Sequence, residues 1–193
     1  MRIVRQTREQ IDHAIVDSAA DIFATHGYAH TSVQQIADAV GYSKTGLLHR
    51  FASKQVLHDA VVREAGETVD RLMKRVADIT DESDRLERVV GVFVDEVFDQ
   101  PGMVRLLLES FRVTSDDPRQ HDLQELGLGL VSSLDLALGS VEDRTRVILA
   151  VQLVVNAAHV DFPGLGVDVG REDLKVLIVE MATDVLRARA RVA

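Results

Sequence analysis

The chain has 193 residues, of which 46% are hydrophobic and 27% charged, and it has no cysteine. That length suits one domain or a small unit fused to a larger one, and the apolar content excludes a disordered polyampholyte. The missing thiols exclude disulfide frameworks, thiolate zinc sites and cysteine nucleophiles, and fit a reducing compartment.

The formal net charge is −9, yet residues 1–60 hold six Lys/Arg against six Asp/Glu, so the whole acidic excess falls in residues 61–193. A neutral N-terminal segment on an acidic body permits local binding of a polyanion from which the body is repelled. No basic-then-apolar leader opens the sequence. The longest nearly apolar stretch, 147–160, is interrupted by Gln152, Asn156 and His159 and is shorter than the roughly 20 residues of a membrane span. A cytoplasmic protein without a membrane partner is expected.

Apolar residues recur with helical spacing almost throughout, strand-like alternation is absent, and only three prolines occur. These features predict an all-α fold. A first helix starts after Thr7, which with Gln10 has the form of a capping box, and carries Ile11, Ile15, Ala19, Ile22 and Phe23 on one face before Gly27 ends it. Ser32 and Gln35 form a second such box, opening a short helix that closes at Gly41. Ser43 caps a third helix running to Arg50. Ser53 caps a long fourth one, with Leu57, Ala60, Val61, Ala65, Val69, Leu72, Met73 and Val76 at intervals of three and four. Further helices are expected near 84–99, 102–114, 119–139, 142–161 and 171–190.

Residues 31–51 have the pattern of a helix-turn-helix. Ala37 allows close crossing of two short helices, Gly41 accepts the positive φ of the turn, and Ile36, Val40 and Leu47 form an apolar face to dock on the first helix. The start of the helix capped by Ser43 then projects outward with free N–H groups and a positive dipole end, suited to phosphate and to the major groove. Taken alone, residues 31–51 fit a helical hairpin in an ordinary bundle as well.

The wider pattern is more specific. Phe23-Ala-Thr-His-Gly27-Tyr28, Thr31-Ser32, Ile36-Ala37, Gly41-Tyr-Ser43-Lys44 and Phe51-Ala-Ser-Lys54 with Leu57 together resemble the N-terminal domain of the tetracycline-repressor (TetR) family of transcriptional regulators, over about residues 8–60. The resemblance implies a DNA-binding domain over residues 1–53 and a helical dimerisation and ligand-binding domain over 54–193. It further implies a homodimer on a double-stranded DNA operator and a small-molecule inducer. Carried over position by position, Ser32 and Val33 fall where a hydroxyl usually meets phosphate, a role open to Ser32 only. Tyr42, Ser43, Lys44, Thr45 and Gly46 fall where the recognition helix meets backbone and base edges. His49 and Arg50 lie one turn on, with Arg50 the best candidate for bidentate guanine recognition. Lys54 matches a lysine that acts with a helix dipole on one phosphate. The family commonly has a tyrosine where this chain has Leu48, which lacks the hydroxyl that meets the DNA backbone, and its glycine-then-small pair is reversed here as Thr45-Gly46. Arg2, Arg5 and Arg8 suit either an arm over phosphates or a solvated tail.

In the C-terminal body, Gln152, Asn156 and His159 make a polar stripe on an otherwise apolar helix. Solvent, a ligand cavity and a dimer seam all suit it. Met103, Leu107, Phe111 and Leu130 are further candidate pocket walls, and Arg105, Glu109 and Arg112 are spaced as an ion-pair ladder along one helix. The resemblance implies that the last two helices pair with their mates in the dimer. Leu174, Leu177, Ile178, Met181, Val185 and Leu186, with Val151 and Val155 on the preceding helix, are the residues suited to that seam, although core packing within the chain fits the same spacing. No di-iron, HExxH, GxSxG or phosphate-loop signature occurs, so neither an enzyme nor a cofactor is expected. The function expected is a ligand-released DNA-binding repressor. The alternative is a dimeric helical interaction protein that has kept the helix-turn-helix without operator binding.

Overall fold

The computed structural model describes residues 7–110, 118–133, 140–157 and 170–188. Among them are nine helices and no strand: α1 (Arg8–His26), α2 (Val33–Ala39), α3 (Lys44–Arg50), α4 (Lys54–Ala77), α5 (Arg85–Asp99), α6 (Pro101–Glu109), α7 (Pro118–Ser133), α8 (Val141–Ala157) and α9 (Arg171–Arg187). The all-α expectation is met.

The helix starts follow the capping residues. The Thr7 hydroxyl accepts the Gln10 N–H at 3.2 Å and Gln10 Oε1 accepts the Thr7 N–H at 2.8 Å. Ser32 and Gln35 repeat the reciprocal pair at 3.2 and 2.7 Å. Ser43 Oγ accepts the Gly46 N–H at 3.0 Å, and Ser53 Oγ the Val56 N–H at 3.1 Å. Each cap satisfies donors that have no partner inside the helix and contributes on the order of 1 kcal/mol.

Contacts divide the chain into two units. The first takes the described residues up to Thr68 together with Gly102–Gly127; the second takes Val69–Pro101 and the described residues from Leu128 onward. The expected boundary after residue 53 coincides with the start of α4, whereas the first unit runs on to Thr68 and takes in α6. The cause is a set of contacts between α1 and α6. The Asp17 carboxylate of α1 accepts the Met103 N–H at 2.8 Å in the first turn of α6. Arg105 pairs with Asp21 of α1 at 2.8 Å, across two helices. A Cβ placed on Gly102 would lie 2.1 Å from the Asp17 carbonyl oxygen, so only glycine permits this approach. Burial raises the Asp17 pKa against the opposing pull of the Met103 and Gly102 N–H groups, and the like charges of Asp21 and Glu64 add to the rise.

The core of the first unit is apolar: Ile15, Ala19, Phe23, Ile36, Ala37, Leu47, Leu57, Val61, Met103 and Leu107 are all buried. Phe23, Tyr28 and the buried His58 form an aromatic cluster with ring centroids 4.8 to 5.6 Å apart. In the second unit α9 packs on both α5 and α8. Its core includes Val89, Phe93, Val94, Val97, Val147, Val154, Ile178 and Ala182. The buried Glu96 is held by Arg71 at 2.6 Å and Arg75 at 3.8 Å, a pairing that offsets the cost of a carboxylate in an apolar setting.

Candidate nucleic-acid interface

The turn between α2 and α3 sets the geometry of the interface. Gly41 takes φ +71°, the Gly41 N–H donates to Asp38 O at 3.3 Å, and the Tyr42 N–H donates to Ala37 O at 2.8 Å. This paired closure stops α2 and redirects the chain within two residues. Ala37 is fully buried where α2 packs, and Leu47 is the fully buried anchor of α3. With Leu47 inward, Ser43, Lys44, Thr45 and His49 are exposed, and Tyr42, Gly46, Leu48 and Arg50 are half-buried. On α2, Ser32 is exposed and Val33 half-buried. An edge of hydroxyl, ammonium and imidazole groups on a two-turn helix is what a major groove accepts. An open groove of about 500 Å³ runs beside it, lined by Arg8 and Ile11 of α1 and by Gly46, His49 and Arg50.

Two basic residues are engaged within the chain. The Arg50 guanidinium bonds to the Asp12 carboxylate of α1 and lies 5.7 Å from the Tyr42 ring centroid, with its side chain only 21% exposed. Its expected freedom to read a guanine is therefore not what the structure presents. Lys54 Nζ donates to the Tyr28 and Thr31 carbonyls at 2.8 Å each and sits 4.2 Å from the Tyr28 ring centroid. Two of its three donors thus fasten the start of α4 to the α1–α2 connection. Thr31, buried, donates from its hydroxyl to Gly27 O at 2.9 Å, and Gly27 has φ +76°. Lys44 and His49 remain the exposed nitrogen-bearing side chains of α3. Sequence spacing did not single out Asp12. The sign that points to it is its place one turn from Arg8, to which it also pairs at 3.9 Å.

The described residues expected around a ligand fall in both units. Met103 and Leu107 are core residues of the first unit. Gln152 and Asn156 are exposed on α8, where Asn156 Nδ2 donates to the Gln152 carbonyl at 2.7 Å, so they do not wall an enclosed space among the described residues. Phe111 and His159 lie outside the described residues, as do Arg2, Arg5 and Arg112; for Leu130 only the helical backbone is described. The second unit contains instead a small, wholly apolar cavity of about 20 Å³ among α5, α8 and α9, with Val89, Phe93, Val147, Val151, Val154 and Leu186 in its wall. That holds about one water-sized group.

The residues expected at the dimer seam divide. Leu177 and Met181 are 45% and 48% exposed, and Leu174, Val155 and Val185 are half-buried. Ile178 is buried within the chain, and the half-buried Val151 and Leu186 line the apolar cavity. The outward apolar residues of α8 are Ile148 and Leu149, 61% and 55% exposed. Exposed Gln152 and Asn156 mark the outer side of α8, and Ile148 and Leu149 lie outward with them.

The four side-chain caps, the glycine-closed turn and the protruding two-turn helix define a helix-turn-helix protein. Residues 15–61 match the family model described as bacterial regulatory proteins, tetR family. It is 45% identical over 51 residues to the HTH-type transcriptional regulator RutR of Escherichia coli, covering 26% of this chain and 24% of that protein. It is 37% identical over 81 residues to the HTH-type transcriptional repressor KstR2 of Mycobacterium tuberculosis, covering 42% and 39%. The chain thus spans well under half the length of these curated relatives. The crystal structure of Mycobacterium smegmatis AmtR superposes with a TM-score of 0.56 at 27% identity, covering 98% of this chain and 90% of that one.

Proposed function

We propose that this protein is a sequence-specific regulator of transcription, acting as a homodimer on a double-stranded DNA operator and released from it by a small molecule. The observation that carries the proposal is the exposed edge of α3, with Lys44, Thr45 and His49 free of the core inside the segment matched by the family model. Ser32 and Ser43 sit at the starts of α2 and α3, where backbone phosphates are met. Residues 1–53 form the DNA-reading part and 54–193 the dimerising and ligand-sensing part. Ile148, Leu149, Leu177 and Met181 support dimerisation, because large apolar side chains at such exposure favour a partner surface. Relatives named as repressors outnumber the one named as an activator, which favours repression. No catalytic role is proposed, and the setting is the cytoplasm, where the DNA is.

Selection of bound duplexes from a random pool by the full chain tests this. The expected result is an enriched inverted repeat with half-site centres about 34–36 Å apart and affinity that falls steeply with salt. Failure to enrich any sequence would leave the interaction-protein alternative in its place.

A further inference from the structure

α3 spans seven residues, Lys44–Arg50, and Leu47 is its one fully buried side chain. A helix of two turns has little stability of its own, and Gly46 within it costs about 1 kcal/mol of propensity relative to alanine. One apolar anchor fixes the depth of such a helix but leaves it free to roll and tilt. A second tie is present at its other end. The Arg50 guanidinium reaches back to Asp12 on α1 and lies beside the ring of Tyr42, which precedes α3. Arg50 thereby joins the last turn of α3 both to α1 and to the turn that starts the helix.

The location of Asp12 makes this pairing informative. It is a half-exposed carboxylate in α1, close to Arg8 and Arg50, two of the residues that line the open groove beside α3. An anion there repels an approaching phosphate, so on charge alone it opposes DNA binding. We infer that Asp12 and Arg50 form a latch that fixes the angle of α3 against α1, so that both act as positioning residues for DNA recognition while base reading falls to Lys44, Thr45 and His49. This inference rests on the DNA-binding function proposed above.

The test compares the full chain with Asp12→Asn and Arg50→Lys on the duplex selected by the parent and on single-base variants of it. Asp12→Asn removes a negative charge from the DNA-facing side and frees Arg50. If Arg50 read a base, binding would tighten or stay unchanged. The latch predicts the opposite sign: about tenfold weaker binding and a smaller gap between the selected duplex and its variants. Arg50→Lys keeps an ion pair to Asp12 but lacks the fork needed for bidentate guanine contact. The latch predicts that it retains the parental base preferences, whereas loss of preference at one base pair overturns the latch.

Amide hydrogen exchange in the DNA-free protein provides the independent arm. The latch predicts that Asp12→Asn speeds exchange at Leu47 through Phe51 about tenfold while α8 is unchanged. Equal exchange in the two proteins overturns it. If the parent selects no duplex, the DNA-binding function fails and the exchange result still decides the latch.

Discussion

The first three helices and the last two are built on different kinds of information. In α1–α3 each start is set by a named hydroxyl, and the turn after α2 is closed by a glycine at φ +71°. These are local polar devices with one geometric solution, so ends and inner faces follow together. In α8 the start is equally local: the Ser140 hydroxyl and the Asp143 carboxylate bond at 2.6 Å, and this bond lowers the Asp143 pKa. The faces of α8 and α9 are another matter. Val147, Ala150 and Val154, at intervals of three and four, turn inward while the equally apolar Ile148 and Leu149 turn outward, and residue type does not separate the two sets. Capping chemistry determines where a helix begins; only its tertiary partners determine which side of an apolar helix is covered.

The sharpest way to break this contrast is at the outward face. Leu177→Glu combined with Ile148→Glu is expected to convert a dimer wholly to monomer in sedimentation at micromolar concentration, with helical content kept. Val151→Glu, which puts a charge against the apolar cavity among α5, α8 and α9, is expected instead to destabilise the second unit. Equal behaviour of the two would mean that inner and outer faces are misassigned. In the first unit the largest effect is expected at the α1–α6 crossing. Gly102→Ala should lower the unfolding free energy by about 2–3 kcal/mol in denaturant titration, because the new Cβ meets backbone. A smaller effect is expected at the cap of that helix. Asp17 has a raised pKa in the folded chain, so ionisation of this group opposes folding, and its contribution to stability rises as pH falls through the folded value towards 3.8. The stability of Asp17→Asn relative to the parent is therefore expected to be greatest near neutrality and to decline on acidification, measured by unfolding at a series of pH values.

Much of the helix-turn-helix fold was legible in advance because caps and turn glycines act over three or four positions. Thr7, Ser32, Ser43 and Ser53 all cap helices in the structure, and Gly27 and Gly41 both take positive φ. What sequence could not supply was the partner of each charged side chain. Arg50 reads as a base contact and Arg105 as part of an ion-pair ladder until α1 is placed beside them; their partners are 38 and 84 residues away. Lys54 is comparable, since its partners are backbone carbonyls, which carry no residue signature at all. The candidate ligand residues carry a related ambiguity: apolar side chains that line a pocket and those that fill a core have the same spacing.

The central claim is that the exposed edge of α3 enters the DNA groove, and the absence of cysteine makes a direct measurement possible. A single cysteine introduced by Thr45→Cys, carrying a photoactivated crosslinker, is expected to attach to bases in the major groove of the selected duplex at one position in each half-site. The same crosslinker on Leu128→Cys, an exposed position on α7, should give none. Crosslinking from both positions alike, or from neither while binding persists, would contradict the account.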